Sequence, residues 1–301
     1  MEKIIIFFHI YYVDLLDEYL WYLNNVKTIK YSFDLYVSIC DKSIDNIIIN
    51  KLKDFDQGVK ITICENRGAD IGGFFASLRN NSINFDSYNS VLYLHTKKSS
   101  QYGEEISYTW RGELLNDILI NKDLIEFCIQ KIKENNGIIG SSRCIYDINQ
   151  SLTTYNTERL NYNTLCDILN IKHIENSLFV AGTIFWSHPS IFKFIQNSNI
   201  TTDNFKLTFN HSNLLEHSFE RIFGNISYYL KLNVYGIKLD INNNIYDQSF
   251  YLYKNPSNIN IFIFKINNII ILPNQITIQN IIKKKKLVIN RIFNKYLYLS
   301  L

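Results

Sequence analysis

The chain has 301 residues, 47% hydrophobic and 20% charged, enough for a substantial core in one large domain or one domain with an appendage. A formal charge of +3 is too small for the cationic stripe of a nucleic-acid-binding domain, so no nucleic-acid partner is expected. Cysteines at 40, 64, 128, 144 and 166 have no metal-ligand spacing, and their odd number suits buried thiols in a reducing compartment rather than a disulfide framework.

The first apolar run, Ile4–Ile10, reads as a strand. It is too short for a leader or a membrane span, and no run of about 18 apolar residues follows, so a cytoplasmic protein is expected. Asp14–Val26 carries helical spacing through Leu15, Leu16, Tyr19, Leu20 and Leu23. Phe33–Cys40 is a second strand, followed by a helix over Ile44–Phe55 that Ser43 can cap. Val59–Cys64 is a third strand, and Ile71–Arg79 fits a helix opening out of a glycine loop. Val91–Leu94 is a fourth strand. Thr109–Ile120 and Asp123–Asn135 read as helices, and Gly137–Gly140 as a fifth strand. This alternation predicts an α/β fold, a mostly parallel Rossmann-type sheet with helices on both faces.

Beyond Ser141 the pattern loosens. Residues 141–176 are polar, with one short helical stretch at Leu165–Leu169. Leu178–Trp186 reads as one strand, Pro189–Gln196 as a short helix with proline near its start, Asn213–Lys231 as a longer helix, and Asn233–Lys238 as a strand. The predicted division is therefore a domain over 1–240, with halves 1–140 and 141–240, and an extension over 241–301. In the extension, Phe250–Tyr253, Ile259–Phe264 and Ile269–Leu272 look like short strands. Residues 275–301 mix Lys283–Lys286, Arg291 and Lys295 with isoleucines, leucines and tyrosines. Two roles remain open for them: an amphipathic helix on the inner face of an anionic membrane, or one packed on the protein with a solvated lysine face.

Two segments stand out as chemistry rather than core. Glu65-Asn66-Arg67-Gly68-Ala69-Asp70-Ile71-Gly72-Gly73 and His95-Thr96-Lys97-Lys98 each follow a predicted buried strand, where open α/β sheets bind ligands. The glycines permit close approach or positive φ, and the lysines suit a phosphate. Together they suggest a nucleotide or sugar-nucleotide pocket.

Five motifs, "ENRGADIGGFF", "VLYLHTKKS", "WRGELL", "FVAGTIFW" and "LLEHSFERIF", stand in the order found in the rhamnan synthesis protein F family of glycosyltransferases, which the chain resembles over about residues 3–238. The resemblance implies a GT-A-like fold and transfer of a sugar from a dTDP-, UDP- or GDP-linked donor to a growing glycan or lipid-linked acceptor, with rhamnose or a related hexose as the sugar that the family name suggests. In that layout His9, Tyr11 and Asp41 meet the base or ribose, although Asp41 is equally a solvated helix-start aspartate. Glu65, Asn66 and Arg67 fall where related enzymes contact the nucleoside. Asp70 is assigned to donor binding, its alternative being a first-turn charge.

Metal-dependent GT-A enzymes carry Asp-x-Asp after the fourth strand, where this chain has His95-Thr96-Lys97. A protonated lysine is no metal ligand, so Lys97, with Lys98 or Arg111, is expected to neutralise the leaving diphosphate without a required metal, Mg²⁺ or Mn²⁺ giving weak stimulation at most. Trp110, Gly182, Thr183 and Trp186 are assigned to the acceptor. Glu216 is the first candidate for the base of an inverting transfer, then His217, then Glu220, which is also placed with the acceptor. Arg221 is read as a structural ion-pair partner. The rival reading is a non-catalytic glycan-binding or scaffolding domain. A Rossmann oxidoreductase fails at Phe7–Tyr11, which lacks the glycines of a dinucleotide fingerprint.

Overall fold

The computed structural model describes residues 2–41, 44–98, 104–134, 136–152, 156–207, 214–238, 264–266 and 269–271. The chain divides into two units, Met1–Tyr246 and Asp247–Leu301.

The first unit is built on seven strands: β1 (Lys3–Ile10), β2 (Ser32–Cys40), β3 (Lys60–Cys64), β4 (Ser90–His95), β5 (Asn136–Ser141), β8 (Phe185–Ser187) and β9 (Asn233–Ile237). Their order is β3-β2-β1-β4-β8-β5-β9. Every neighbouring pair is parallel except those of β8, which runs antiparallel to both β4 and β5. Two short strands, β6 (Ile145–Asp147) and β7 (Leu178–Val180), pair separately. β1 lies inside the sheet and is apolar on both sides, as covered parallel strands are.

Helices cover both faces. Against one pack α3 (Ala69–Asn80), α8 (Pro189–Gln196) and α9 (Leu215–Tyr229), through an aromatic cluster in which Phe7 stacks on Phe192 at 5.7 Å and meets Phe74 edge-on at 5.2 Å. Against the other pack α1 (Leu16–Val26), α4 (Glu104–Leu119) and α5 (Lys122–Lys133). There Phe8 stacks on Tyr19, and the Trp186 indole donates to the Ile118 carbonyl at 3.2 Å. Trp186 is wholly buried. It therefore offers no platform to an acceptor sugar, contrary to expectation. Trp186→Ala is expected to cost about 3–5 kcal/mol in denaturant unfolding, the usual range for emptying a large aromatic site.

Several local expectations shift. α2 (Asn46–Phe55) is capped by Asp45, whose carboxylate accepts from Ile47 N–H at 2.8 Å; Ser43 lies outside the described residues. α4 begins at Glu104, five residues before the expected start at Thr109. The 141–176 region holds α6 (Ile148–Leu152) and α7 (Asn156–Leu169). Asn and Thr weaken the propensity of α7, which is held instead by buried Tyr162, Leu165, Cys166 and Leu169 at helical spacing, and it packs on α9. The single strand expected over Leu178–Trp186 is two. β7 and β8 are separated by Gly182 at φ +92° and Thr183 at φ +52°, and the left-handed turn sends them to different sheets.

In the second unit β10 (Phe264–Ile266) and β11 (Ile269–Ile271) form an antiparallel pair. The expected strand Phe250–Tyr253 and the basic segment 275–301 lie outside the described residues. Among the described residues, no helix is long and apolar enough to cross a membrane.

Candidate active site

Register brings three polar side chains into one row at the carboxyl ends of the central strands: His9 on β1 is level with Ser38 on β2 and His95 on β4. All three are buried. His9 Nδ1 lies 2.9 Å from Ser38 Oγ, and burial pushes the His9 pKa down to about 4, against the raising effect of the Asp70 charge. His9 is thus neutral at neutral pH.

The glycine loop after β3 closes over this row, and its glycines serve the protein's own packing. Gly68 begins α3 at φ +69°, and a Cβ there would meet the Phe205 ring at 2.6 Å. A Cβ on Gly72 would lie 1.6 Å from the Arg67 carbonyl oxygen, and one on Gly73 would lie 2.0 Å from His9 Nδ1. The glycines let α3 settle onto the loop and onto β1. That packing carries Asp70 to the sheet edge.

Asp70 Oδ2 is buried and, among the described residues, has no hydrogen-bond partner; it lies 3.9 Å from His95 Nε2. An orphaned buried carboxylate oxygen is costly and marks a place for a donor group. His95 Nε2 is 2.7 Å from the Gly182 carbonyl oxygen, which can only accept, so Nε2 carries a proton and holds the β7–β8 turn against β4. Beyond the turn, Thr183 Oγ1 donates to Glu220 Oε1 at 3.4 Å. Glu216 occupies the first turn of α9 and is nearly enclosed. Burial, reinforced by the negative charge of Asp70, raises its pKa to about 6, with Lys206 acting in the opposite sense. Asp70 is the common member of this group: it lies 3.9 Å from His95, and its charge acts on both His9 and Glu216. His217 accepts from Leu214 N–H at 3.4 Å through Nδ1, capping α9.

The cations separate. Lys97 lies over the Trp110 ring, its Nζ 4.5 Å from the centroid. Lys98 turns outward to Asp14. Arg111 is buried, gripping Glu18 at 2.9 and 3.1 Å and donating to the Lys97 carbonyl at 3.2 Å. It fixes the backbone of Lys97 rather than standing beside it as a second phosphate clamp. Thr96 Oγ1 accepts from Tyr11 and Tyr12 N–H, each at 2.9 Å, tying the turn after β1 to the end of β4. Arg67 donates to the Phe205 carbonyl at 2.9 Å and pairs with exposed Glu65. Asn66 is half-buried between them, and Asp41 is exposed at the end of β2. Arg221 is bound to Glu158 and Ser151, the structural pairing expected of it.

Three residues that the sequence did not single out belong here. Ser38 could be found only through strand register. Thr96 lies inside the noticed motif but acts through its hydroxyl on the backbone of Tyr11 and Tyr12. Lys206 is brought to the glycine loop by the Gly68 N–H bond to its carbonyl, 138 positions away in sequence. Among the described residues, no three His, Cys, Asp or Glu side chains converge as metal ligands would.

Comparison with known proteins adds three findings. The model of the family described as rhamnan synthesis protein F matches residues 1–231. A solved structure of S. aureus TarS, residues 1–349, is similar with a TM-score of 0.38 and 11% identity, over 75% of this chain and 56% of that one. The chain thus spans little more than half the length of that structure. No curated protein matches it.

Proposed function

The chain belongs to the rhamnan synthesis protein F family, and on that premise we propose that it is an inverting glycosyltransferase of GT-A-like fold that uses a nucleotide-sugar donor to extend a polysaccharide. The family name points to rhamnose or a related hexose as the sugar and to a glycan or lipid-linked acceptor. The observation that carries this reading is the group formed by Asp70, His95 and Glu216 at the carboxyl ends of the strands, with an orphaned carboxylate oxygen on Asp70.

In this mechanism Glu216 is the base. Its carboxylate takes the proton from the acceptor hydroxyl as that oxygen attacks the anomeric carbon. The bond from that carbon to the diphosphate breaks, and the electron pair leaves with the nucleoside diphosphate. A base raised to about 6 is ionised at neutral pH yet basic enough to receive the proton. Asp70 accepts a hydrogen bond from a donor hydroxyl, and its negative charge makes a poor neighbour for phosphate. His95 positions the turn bearing Gly182 and Thr183. Lys97 neutralises the leaving diphosphate, so the transfer is proposed to need no metal. His9, in contact with Ser38 and packed under Gly73, supports the loop rather than touching the base.

The test is thermal stabilisation of the full chain by UDP, dTDP and GDP, each with Mn²⁺ and with EDTA. A ligand at a hundred times its Kd stabilises by about 2.7 kcal/mol, a shift of about 5 °C or more for a protein of this size. A selective shift that persists in EDTA is expected. A shift that requires Mn²⁺ would contradict the metal-independent mechanism. No shift with any of the three would favour the glycan-binding alternative.

A further inference from the structure

The turn at Gly182 divides the carboxyl edge into two chemically different sides. Toward α3 and α9 lie Asp70, His95, Glu216 and Glu220, a group rich in carboxylates. Toward α4 lie cations delivered by three different strands. Lys97 follows β4, and its stem crosses the turn where Gly182 has no side chain: a Cβ there would lie 3.4 Å from Lys97 Cε and 2.9 Å from Leu114 Cδ1. The Lys97 ammonium thereby reaches Trp110. Arg143 follows β5. It donates to Asp117 Oδ2 at 2.7 Å, and its Nε lies 3.7 Å from Glu113 Oε1. Lys238 follows β9, whose Ile237 is level with Ser141 of β5, so it emerges beside Arg143.

These cations share one environment. Lys238 is half-buried, and the charges of Arg143, Asp117 and Glu113 all act on it. Cys144, next to Arg143 in the chain, is buried where the charges of both Lys97 and Glu113 act on its thiol, which brings the Lys97 side near the Arg143 side. Asp117 accepts from Ser141 Oγ at 2.6 Å and from Arg143. A guanidinium has five donors in a planar fork, so its bond to Asp117 orients it without exhausting it.

We propose that Lys97, Arg143 and Lys238 form the subsite for the diphosphate of the donor, across the Gly182 turn from the carboxylates that meet sugar hydroxyls. This rests on the nucleotide-sugar reading and deepens it, replacing Lys98 and Arg111 as companions of Lys97 because Lys98 turns outward to Asp14 and Arg111 is buried against Glu18, whereas the Arg143 side chain stays 31% exposed. The separation has a physical use. Diphosphate and general base carry like charge, and a wall of backbone between them keeps each out of the other's field while the anomeric carbon sits at the boundary.

The experiment is titration calorimetry of the full chain with UDP, dTDP and GDP and with the parent nucleosides, comparing wild type, Lys238→Gln and Lys97→Gln. Arg143 is left intact because its loss would strand buried Asp117. Each variant is expected to bind the preferred nucleoside diphosphate about tenfold more weakly, the worth of one charge-assisted contact, with nucleoside affinity unchanged. The salt dependence of diphosphate binding should be shallower in the variants than in wild type. If wild type binds a nucleoside diphosphate and Lys238→Gln binds it equally well, the subsite is overturned while the nucleotide-sugar reading survives. If wild type binds none of the three, both fall together.

Discussion

Replacing Glu216 by glutamine is expected to slow glycosyl transfer about 10³-fold, in the range for loss of a general base, and at the same time to make the protein more stable above pH 6. Glutamine keeps the shape and removes the charge. The two effects have one cause. Burial holds the Glu216 carboxyl at about 6, above its ordinary value of 4.5. Between those values the folded protein retains a proton that the unfolded chain has released, so the folded state is the tighter proton binder. Stability is then fully present below pH 4.5 and falls as pH rises through 6. The cost at pH 8 is about 2 kcal/mol, and the glutamine variant avoids it. Transfer by the wild type should rise with pH through about 6 as the base ionises. Single-turnover rates at several pH values, set beside urea midpoints at pH 5 and pH 8, test both halves. Full turnover by Glu216→Gln would remove the base assignment. A pH-independent stability difference between the two proteins would remove the buried-charge explanation.

The glycine loop supplies the second large effect. Gly72→Ala is expected to destabilise by about 3 kcal/mol, since its methyl carbon would lie 1.6 Å from the Arg67 carbonyl oxygen, a backbone atom that cannot rotate aside. The same shift would move Asp70, so binding of the intact nucleotide-sugar donor, whose hydroxyl Asp70 is proposed to meet, should weaken in parallel. Gly112→Ala is the matched control. Gly112 lies within α4, and among the described residues a Cβ there meets only the Asn116 side chain, at 3.7 Å. With room available and a helical backbone, alanine should stabilise by about 0.5–1 kcal/mol. Urea unfolding of both variants decides the matter. Equal effects would mean that the loop can open to admit a side chain and that its glycines are not held by this packing.

The strands of the parallel core were readable because burial on both faces demands predominantly apolar runs such as Ile4–Ile10 and Phe33–Cys40. Pro189–Gln196 was readable because proline at the first position and the polar His188 before it mark a helix start locally. α7 was not. Its buried positions are correctly spaced, but weak helix formers separate them, and the element depends on contact with α9. The break between β7 and β8 was hidden for a related reason. An apolar run from Phe179 to Trp186 looks continuous, whereas Gly182 and Thr183 adopt left-handed backbone held by the His95 bond from β4.

The sequence alone determined the layer architecture, the strand ends at which a site could form, and the residue types present there, since these follow from short-range periodicity and motif. Which of those residues share a pocket was decided by tertiary structure. Asp70 lies beside His95 and its charge acts on Glu216 because α3 and α9 pack on the same face of the sheet; Lys98 and Arg111 are drawn to carboxylates from the chain around α1; Arg143 and Lys238 come together because β5 and β9 are neighbours despite nearly a hundred intervening residues. A charged side chain takes its role from the charges and solvent that surround it, and those are supplied by distant parts of the chain.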